Sequence, residues 1–224
     1  MSDIFDEVGE DLRRDQLKGL WKRYGWLVYV VAGLIVAATA AWRAYDYWTT
    51  SRANAAGDAY AQVMTSAKPG DHAGLAESLA AFASGAPVQY ELLARFRAAS
   101  EHAAAGELDN ALSAFESLST ASGADQAFRD LAGIRAALIA VDRETLDQIK
   151  NRVSAYNNDI SPWRHAAREI IALAAVRASD WKAVSDEARK LTDDPATPSD
   201  VRARARILHD LAVSEAGDLA GAAG

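Results

Sequence analysis

One uncharged stretch of sequence constrains this chain more than any other feature. It runs from Tyr24 to Trp42, contains no Asp, Glu, Lys or Arg, and is flanked by Lys22, Arg23 and Arg43. At the helical rise of 1.5 Å per residue such a stretch is roughly 28 Å long, close to the hydrocarbon thickness of a bilayer, about 30 Å. The sequence therefore predicts one transmembrane helix over residues 24–42.

Aromatic side chains stand at both ends of this stretch. Tyr24 and Trp26 lie near its start and Trp42 lies at its end, and aromatic rings favour the headgroup region of a membrane. Leu34 is close to the middle, where the hydrocarbon is thickest. We therefore expect Tyr24, Trp26, Leu34 and Trp42 to anchor the chain in the lipid bilayer.

Two other interpretations of the stretch are weaker. A cleaved secretory signal would use Ala38-Thr39-Ala40 as its cleavage site, but such signals have a short basic n-region and a shorter apolar core. Residues 1–23 instead carry several acidic side chains. A buried core helix would need a second apolar segment to pack against, and the sequence has none of similar strength.

The distribution of Lys and Arg predicts the orientation of the span. Only Arg43 and Arg52 occur in the first 20 residues after it. The segment before the span is richer in basic residues, namely Arg13, Arg14, Lys18, Lys22 and Arg23. Because basic residues are retained in the cytoplasm, we expect a single-pass protein whose two ends lie on opposite sides of the membrane. Its N-terminus would be cytoplasmic and its C-terminal domain periplasmic in a Gram-negative source.

The cytoplasmic segment, residues 1–23, has a helical pattern of its own. Ile4, Val8 and Leu12 are spaced four apart, which is typical of an amphipathic helix. Three interpretations stay open for it: a helix lying on the bilayer surface, a helix docked on a partner, or a disordered segment.

Composition excludes several classes of function. The net charge is -7 and the chain has no cysteine, so the sequence offers neither a basic face for nucleic acid nor a thiolate nucleophile or metal ligand. The four histidines are scattered and match no metal-binding or catalytic spacing. We therefore predict a protein that is not an enzyme, with no cofactor, metal or small-molecule substrate.

A short turn motif recurs through the rest of the chain. Its third residue falls at positions 72, 108, 146, 181 and 219, which is an interval of about 36 residues. The motif reads Gly70-Asp71-His72, Gly106-Glu107-Leu108, Glu144-Thr145-Leu146, Ser179-Asp180-Trp181 and Gly217-Asp218-Leu219. Broader breaks, which contain four of the five prolines, fall between the motifs. Each unit is therefore expected to hold two helices, with all five prolines outside them.

Apolar residues at spacings of three and four predict the buried face of each helix. In the second helices of the units these are Leu75, Leu79 and Phe82, then Ala111, Phe115 and Leu118, then Ile149, Val153 and Tyr156, then Val184, Ala188 and Leu191. In the first helices they are Leu93, Phe96 and Ala99, then Leu131, Ile134 and Leu138, then Ile170, Leu173 and Val176, then Val201, Ile207 and Leu211. Stacked hairpins of this kind form a solenoid.

The clearest unit, Gly106-Glu107-Leu108 followed by Ala111 and Phe115, resembles the tetratricopeptide repeat. The other units are degenerate versions of it. The predicted fold is therefore all-α, with one N-terminal transmembrane helix and a tetratricopeptide-like helical-hairpin solenoid. The expected divisions are a cytoplasmic amphipathic segment (1–23), the span (24–42), a juxtamembrane helix (43–69) and the repeats with a C-terminal capping helix (70–224).

The combination of these parts resembles a known family. Leu20-Trp21-Lys22-Arg23-Tyr24-Gly25 leads into a single span, aromatic residues follow it, and degenerate repeats come next. This order resembles the YfgM-like ancillary subunits of the SecYEG translocon. The resemblance implies a single-pass protein of the inner (plasma) membrane that associates with SecYEG and with a periplasmic chaperone such as PpiD. It also implies transfer of exported chains to such chaperones. A structural scaffold of an envelope assembly, in cell division or outer-membrane biogenesis, is the alternative.

Three residues are candidates for contacting a protein partner. Arg97 and Arg135 occupy corresponding places in two first helices, and Trp163 follows a proline. Each has a plainer interpretation: the arginine stems can cover apolar surface, and the tryptophan can belong to the core at a helix start. The sequence leaves open the oligomeric state, and it leaves open whether the last helix is a cap or a docking element.

Overall fold

A computed structural model describes the backbone of residues 3–222 and the side chains of residues 21–216. Over the described residues the chain is entirely helical, which confirms the all-α prediction, and it divides into two compact units, Met1–Ala55 and Ala56–Gly224. The helices are α1 (Asp3–Ser66), α2 (His72–Ala83), α3 (Val88–Ala104), α4 (Leu108–Ser119), α5 (Gln126–Ala140), α6 (Leu146–Arg152), α7 (Arg164–Arg177), α8 (Trp181–Asp193) and α9 (Ser199–Ala222).

The first unit consists of the N-terminal part of α1. Its apolar stretch has a mean hydropathy of 1.8 and is almost entirely exposed, and it is long enough to cross a membrane. Within this stretch the Thr39 hydroxyl donates to the Ile35 carbonyl at 2.8 Å, so a polar side chain is satisfied inside the helix. The side chains of Ile4, Val8 and Leu12, on which the amphipathic interpretation rests, lie outside the described residues.

Four of the five turn motifs begin a helix at their third residue, as the sequence predicts. Gly70, Gly106 and Ser179 adopt positive φ at the first position of the motif, which is the left-handed conformation that ends many helices. The next residue then caps the following helix: the side chains of Asp71 and Asp180 each accept from a backbone N–H three residues on. Three of the turns therefore share the positive-φ conformation, and two of them add a side-chain cap, whereas Glu107 makes no such hydrogen bond.

The turn before α6 has a different structure. Thr145 and Gln148 form a reciprocal capping box at the start of α6, which satisfies two N–H groups that the helix itself leaves unpaired. Arg177 on α7 donates to the backbone carbonyls of Val141, at 3.1 Å, and Glu144, at 2.7 Å. The longer connection is thus held by the neighbouring hairpin instead of by a left-handed residue.

The second unit has a core that repeats along the chain. One buried cluster joins the end of α1 to α2 and α3, a second joins α3, α4 and α5, and a third joins α5, α6 and α7. Of two smaller clusters, one joins α7, α8 and α9 and the other joins α8 and α9. The residues predicted for the apolar faces of the second helices are buried or pack against the clusters, as expected. The helical assignment is wrong for Val153 and Tyr156, because α6 ends at Arg152 and both residues lie in the turn that follows.

The faces predicted for the first helices are partly wrong. Leu93, Leu138, Ile207 and Leu211 are expected to be buried, yet all four are exposed. The buried faces of α3, α5 and α7 consist instead mainly of alanines. Small side chains let neighbouring hairpins approach closely, so Leu93 and Leu138 are left on the exposed faces of α3 and α5 although Leu92 and Ile134 are buried.

The fifth turn motif is also a wrong prediction. Residues Gly217-Asp218-Leu219 lie inside α9, which continues through Ala222 without a turn. The five prolines behave as predicted, and each lies outside the helices.

Candidate partner-binding surface

Exposed leucine and arginine side chains share a face on two successive first helices. On α3, Leu93 and Arg97 are four residues apart, and on α5, Arg135 and Leu138 are three apart, so each pair lies on one helical face. Leu93 and Leu138 are each 44% exposed, which is unusual for leucines in a packed repeat. We call these four residues the Leu-Arg surface; it offers apolar area and guanidinium donors together.

The two helices that carry this surface are joined by an aromatic cluster. Phe96 on α3 lies 5.1 Å from Phe115 and 5.4 Å from Phe128, measured between ring centroids. Phe115 is fully buried on α4 and Phe128 belongs to α5. The Phe96–Phe115 pair is edge-to-face and the Phe96–Phe128 pair is tilted. Aromatic contacts of both kinds are favourable, so the cluster links α3 to α5 through their buried sides.

Arg97 is held in place by a buried carboxylate. Its Nη2 lies 2.6 Å from Oε1 of Glu101, whose side chain is only 4% exposed. His72 on α2 contacts the other carboxylate oxygen, Oε2, through Nδ1 at 2.7 Å. Glu101 thus connects α2 to α3 and directs the Arg97 guanidinium, which keeps further N–H donors for a partner.

Arg135 has a simpler environment. It is exposed on α5 and makes no ion pair with the residues whose side chains are described. A guanidinium in this state remains fully available to a carboxylate or a backbone carbonyl of a partner.

The structure does not bring Trp163 together with the two arginines. Trp163 precedes the first residue of α7, and its backbone N–H donates to the Ser161 hydroxyl at 3.2 Å. Its ring is partly buried against the cluster that contains Ile149 and Val153. This is the environment of a tryptophan at the start of a core helix.

The predicted anchor residues all belong to the part of α1 that lies in the first unit. Tyr24, Trp26, Leu34 and Trp42 are all exposed, each by half or more. Arg23 stands over the Tyr24 ring at 5.8 Å from the centroid, outside the apolar stretch itself. An exposed apolar helix with a basic and aromatic end has the chemistry that a lipid surface favours.

Ion pairs at the junctions between hairpins stabilise the second unit. At the α8–α9 turn, Arg164 donates from Nε to Oδ2 of Asp194 at 2.7 Å, and His165 contacts the same oxygen at 2.9 Å. The Arg164 guanidinium, with help from the Ala196 N–H, holds the pKa of the Asp194 carboxyl far below its usual range. Such pairs are structural, since they tie α7 to the turn between the next two helices.

A second junction is organised in the same way. Arg152 bonds Glu144 through Nε at 2.9 Å and reaches Glu116 at 2.8 Å. The hydrogen bond from Arg152 lowers the pKa of the Glu144 carboxyl.

Among the described side chains, no group of three His, Asp or Glu residues is placed to hold a metal ion.

Sequence reasoning missed part of this surface. It assigned Leu93 and Leu138 to the core, although each shares a helical face with an arginine. The sequence contained a signal that these leucines are exposed, because each lies three or four residues from an arginine on the same helical face. The role of Glu101 was also missed: the spacing to Arg97 indicates an i, i+4 pair, but its contact with His72 depends on the tertiary fold.

These features define a helical-repeat protein. The family model described as tetratricopeptide repeat-like domain matches residues 18–168, about two thirds of the chain, and the chain belongs to this family. The matched region includes the apolar part of α1 and the helices from α2 to α6, and it ends within the first turns of α7. No curated protein and no solved structure matches the chain. Members of this repeat family are typically binding scaffolds, not enzymes.

Proposed function

We propose that this chain is a membrane-anchored protein–protein interaction module of the export channel. In this proposal it associates with SecYEG and passes exported chains to a periplasmic chaperone such as PpiD, as in the YfgM-like proteins that the sequence resembles. The observation that carries the proposal is the Leu-Arg surface on the repeats of a tetratricopeptide-like chain whose α1 can cross a membrane.

The chemistry of the surface suits an unfolded client or an extended partner segment. Exposed Leu93 and Leu138 offer apolar contact, and Arg97 and Arg135 offer donors to carboxylates and to backbone carbonyls that an extended chain leaves unpaired. Both kinds of contact tolerate many sequences, because neither requires one particular side chain. A surface of this type suits a protein that handles many different exported chains.

The proposal assigns a role to each part of the chain. Residues 1–23 form a cytoplasmic amphipathic segment, residues 24–42 cross the inner membrane, and residues 43–69 lead to the periplasmic repeats of residues 70–224. Anchoring confines the repeats near the membrane and raises their effective concentration beside emerging chains. The excess of basic residues before the span supports a cytoplasmic N-terminus.

The experiment is site-specific photo-crosslinking of the full chain in cells, followed by mass spectrometry of the crosslinked partners. Probes are placed in turn at Leu34, Leu93, Arg135 and Leu138, and control probes at Glu77 and Asp147, which are exposed on second helices. We expect Leu34 to crosslink to translocon subunits, and the surface probes to crosslink to a chaperone or to exported chains.

The outcomes separate the proposal from its alternative. Equal yields from the surface and control probes would remove the Leu-Arg surface as the binding site. Crosslinks dominated by division or outer-membrane biogenesis factors, with no translocon subunit, would replace the export role with that of an envelope scaffold.

A further inference from the structure

The outer face of the last helix carries an apolar stripe that no described element covers. Ile207 is 68% exposed and Leu211 is 37% exposed, and they are four residues apart, so they lie on one face of α9. Ala203 and Ser214 extend the same face by one turn on each side, and Ala203 is small enough to allow close helix approach. The opposite face of α9 is buried through Ala205 and Ala212 against α8 and α7.

The stripe lies between two charged borders on the surface of α9. It is bordered on one side by Arg204, which is already occupied because it bonds Glu169 and Asp200. On the other side it is bordered by Arg206 and Asp210, which are exposed and make no ion pair with the described side chains. The charges on this second border are therefore available to a docked helix.

The sequence of this border is self-complementary. When two copies of one helix pack antiparallel around a two-fold axis, identical borders face each other. With the axis near the level of Leu208, Arg206 of each copy lies opposite Asp210 of the other, and the two ion pairs form by symmetry. Ile207 and Leu211 of both copies then fill the seam between the helices.

We propose that α9 is the interface of a homodimer, in which two copies of this chain pack antiparallel through Ile207 and Leu211, with reciprocal Arg206–Asp210 pairs. The inference does not depend on the export role, since it concerns a different face of the repeats from the Leu-Arg surface. An anionic bilayer fits this face less well, because Asp200 and Asp210 border the stripe.

The test uses the absence of cysteine from the chain. The full-length protein carrying Ile207→Cys is purified in detergent and treated with a short bismaleimide, and dimer formation is measured on a denaturing gel. Asp147→Cys, at a strongly exposed position on α6, is the matched control. We expect the Ile207→Cys chain to form a crosslinked dimer and the control to remain a monomer.

Charge exchange then tests the geometry. In the Ile207→Cys background, Arg206→Glu alone and Asp210→Arg alone each place like charges opposite one another, and we expect each to lower the rate of crosslinking by about tenfold. The combined variant Arg206→Glu with Asp210→Arg restores opposite charges and should return the rate to nearly that of the parent. Circular dichroism of each variant confirms that the helices are intact.

Three results would overturn the proposal. One is crosslinking at position 207 no faster than at position 147. Another is a double charge variant as slow as the single variants, which would show that the two residues do not face each other across a two-fold axis. The third is a monomeric mass for the untreated full chain in detergent by light scattering, which would leave the stripe to a different protein partner.

Discussion

In one of these degenerate repeats a serine, Ser179, occupies a turn position that suits glycine better. It has φ 54° at the position where Gly70 and Gly106 also adopt positive φ. A residue with a Cβ is strained in this conformation, whereas glycine adopts it freely. The repeat therefore keeps the turn geometry after losing the residue that suits it best.

The first prediction concerns this position. Ser179→Gly should raise the free energy of unfolding of the second unit by about 1 kcal/mol, because the strain of the left-handed conformation is removed. The measurement is thermal unfolding of the full chain in detergent by circular dichroism. Gly106→Ser is the reciprocal control and should lower stability by a similar amount. A lower melting temperature for Ser179→Gly would show that the serine contributes a contact that outweighs its strain.

At the scale of the elements, the helices are tied to one another where the turns meet. Asp194, in the turn between α8 and α9, accepts from Arg164 on α7 and from the Ala196 N–H at 2.9 Å. These donors stabilise the charged form of the carboxyl, so its pKa in the folded protein lies well below the usual value of 3.8. This contribution to stability is complete above about pH 5, where the unfolded carboxyl is also almost fully ionised. It is lost as the pH falls through the folded pKa.

The second prediction follows from the lowered pKa of Asp194 in the folded protein. Asp194→Asn should lower the melting temperature at pH 7, and the difference from the parent should stay constant down to about pH 5 and shrink as the pH falls below about 4. Melting curves of the full chain from pH 7 to pH 3 provide the measurement. Asp147→Asn, whose carboxyl is strongly exposed, should change little at any pH. A gap that widens on acidification would contradict this role for Asp194.

Prediction from the sequence succeeded for the second helices and failed in part for the first. Each second helix packs one face on the core and leaves the other in solvent, so its apolar residues mark the buried face directly. The first helices α5 and α7 each pack against three or more helices, and α3 and α5 are buried mainly through alanines such as Ala98 and Ala136. Because alanine contributes little to a hydrophobic pattern, the buried face was wrongly assigned from the larger side chains of Leu93 and Leu138.

At the scale of the whole molecule, the apolar stretch of α1 sets the proposed location. A charged side chain at the centre of a transmembrane helix costs about 2.5 to 3.5 kcal/mol of insertion free energy. Leu34 lies near the centre of the proposed span, and its side chain is exposed. Its replacement therefore tests the membrane assignment without touching the repeats.

The third prediction is that Leu34→Arg lowers the fraction of the chain that stays in membranes after alkaline carbonate extraction. Leu34→Ala should lower it much less, because no charge is introduced. Leu93→Arg, which places the same charge on the repeats, should leave it unchanged. The measurement is quantitative immunoblotting of the membrane and soluble fractions. Equal retention of Leu34→Arg and the parent would argue against a span centred there.

The sequence by itself determined the helical class, the apolar stretch, the hairpin period and the first residue of four helices. These properties are local: they depend on charge, on the 3.6-residue period and on which residues can cap a helix or adopt positive φ. Only the tertiary structure decided which leucines are exposed, that Glu101 joins His72 to Arg97, and that α9 continues through its last turn motif. Those outcomes depend on which helices approach one another, and packing between residues far apart in sequence leaves no local pattern to read.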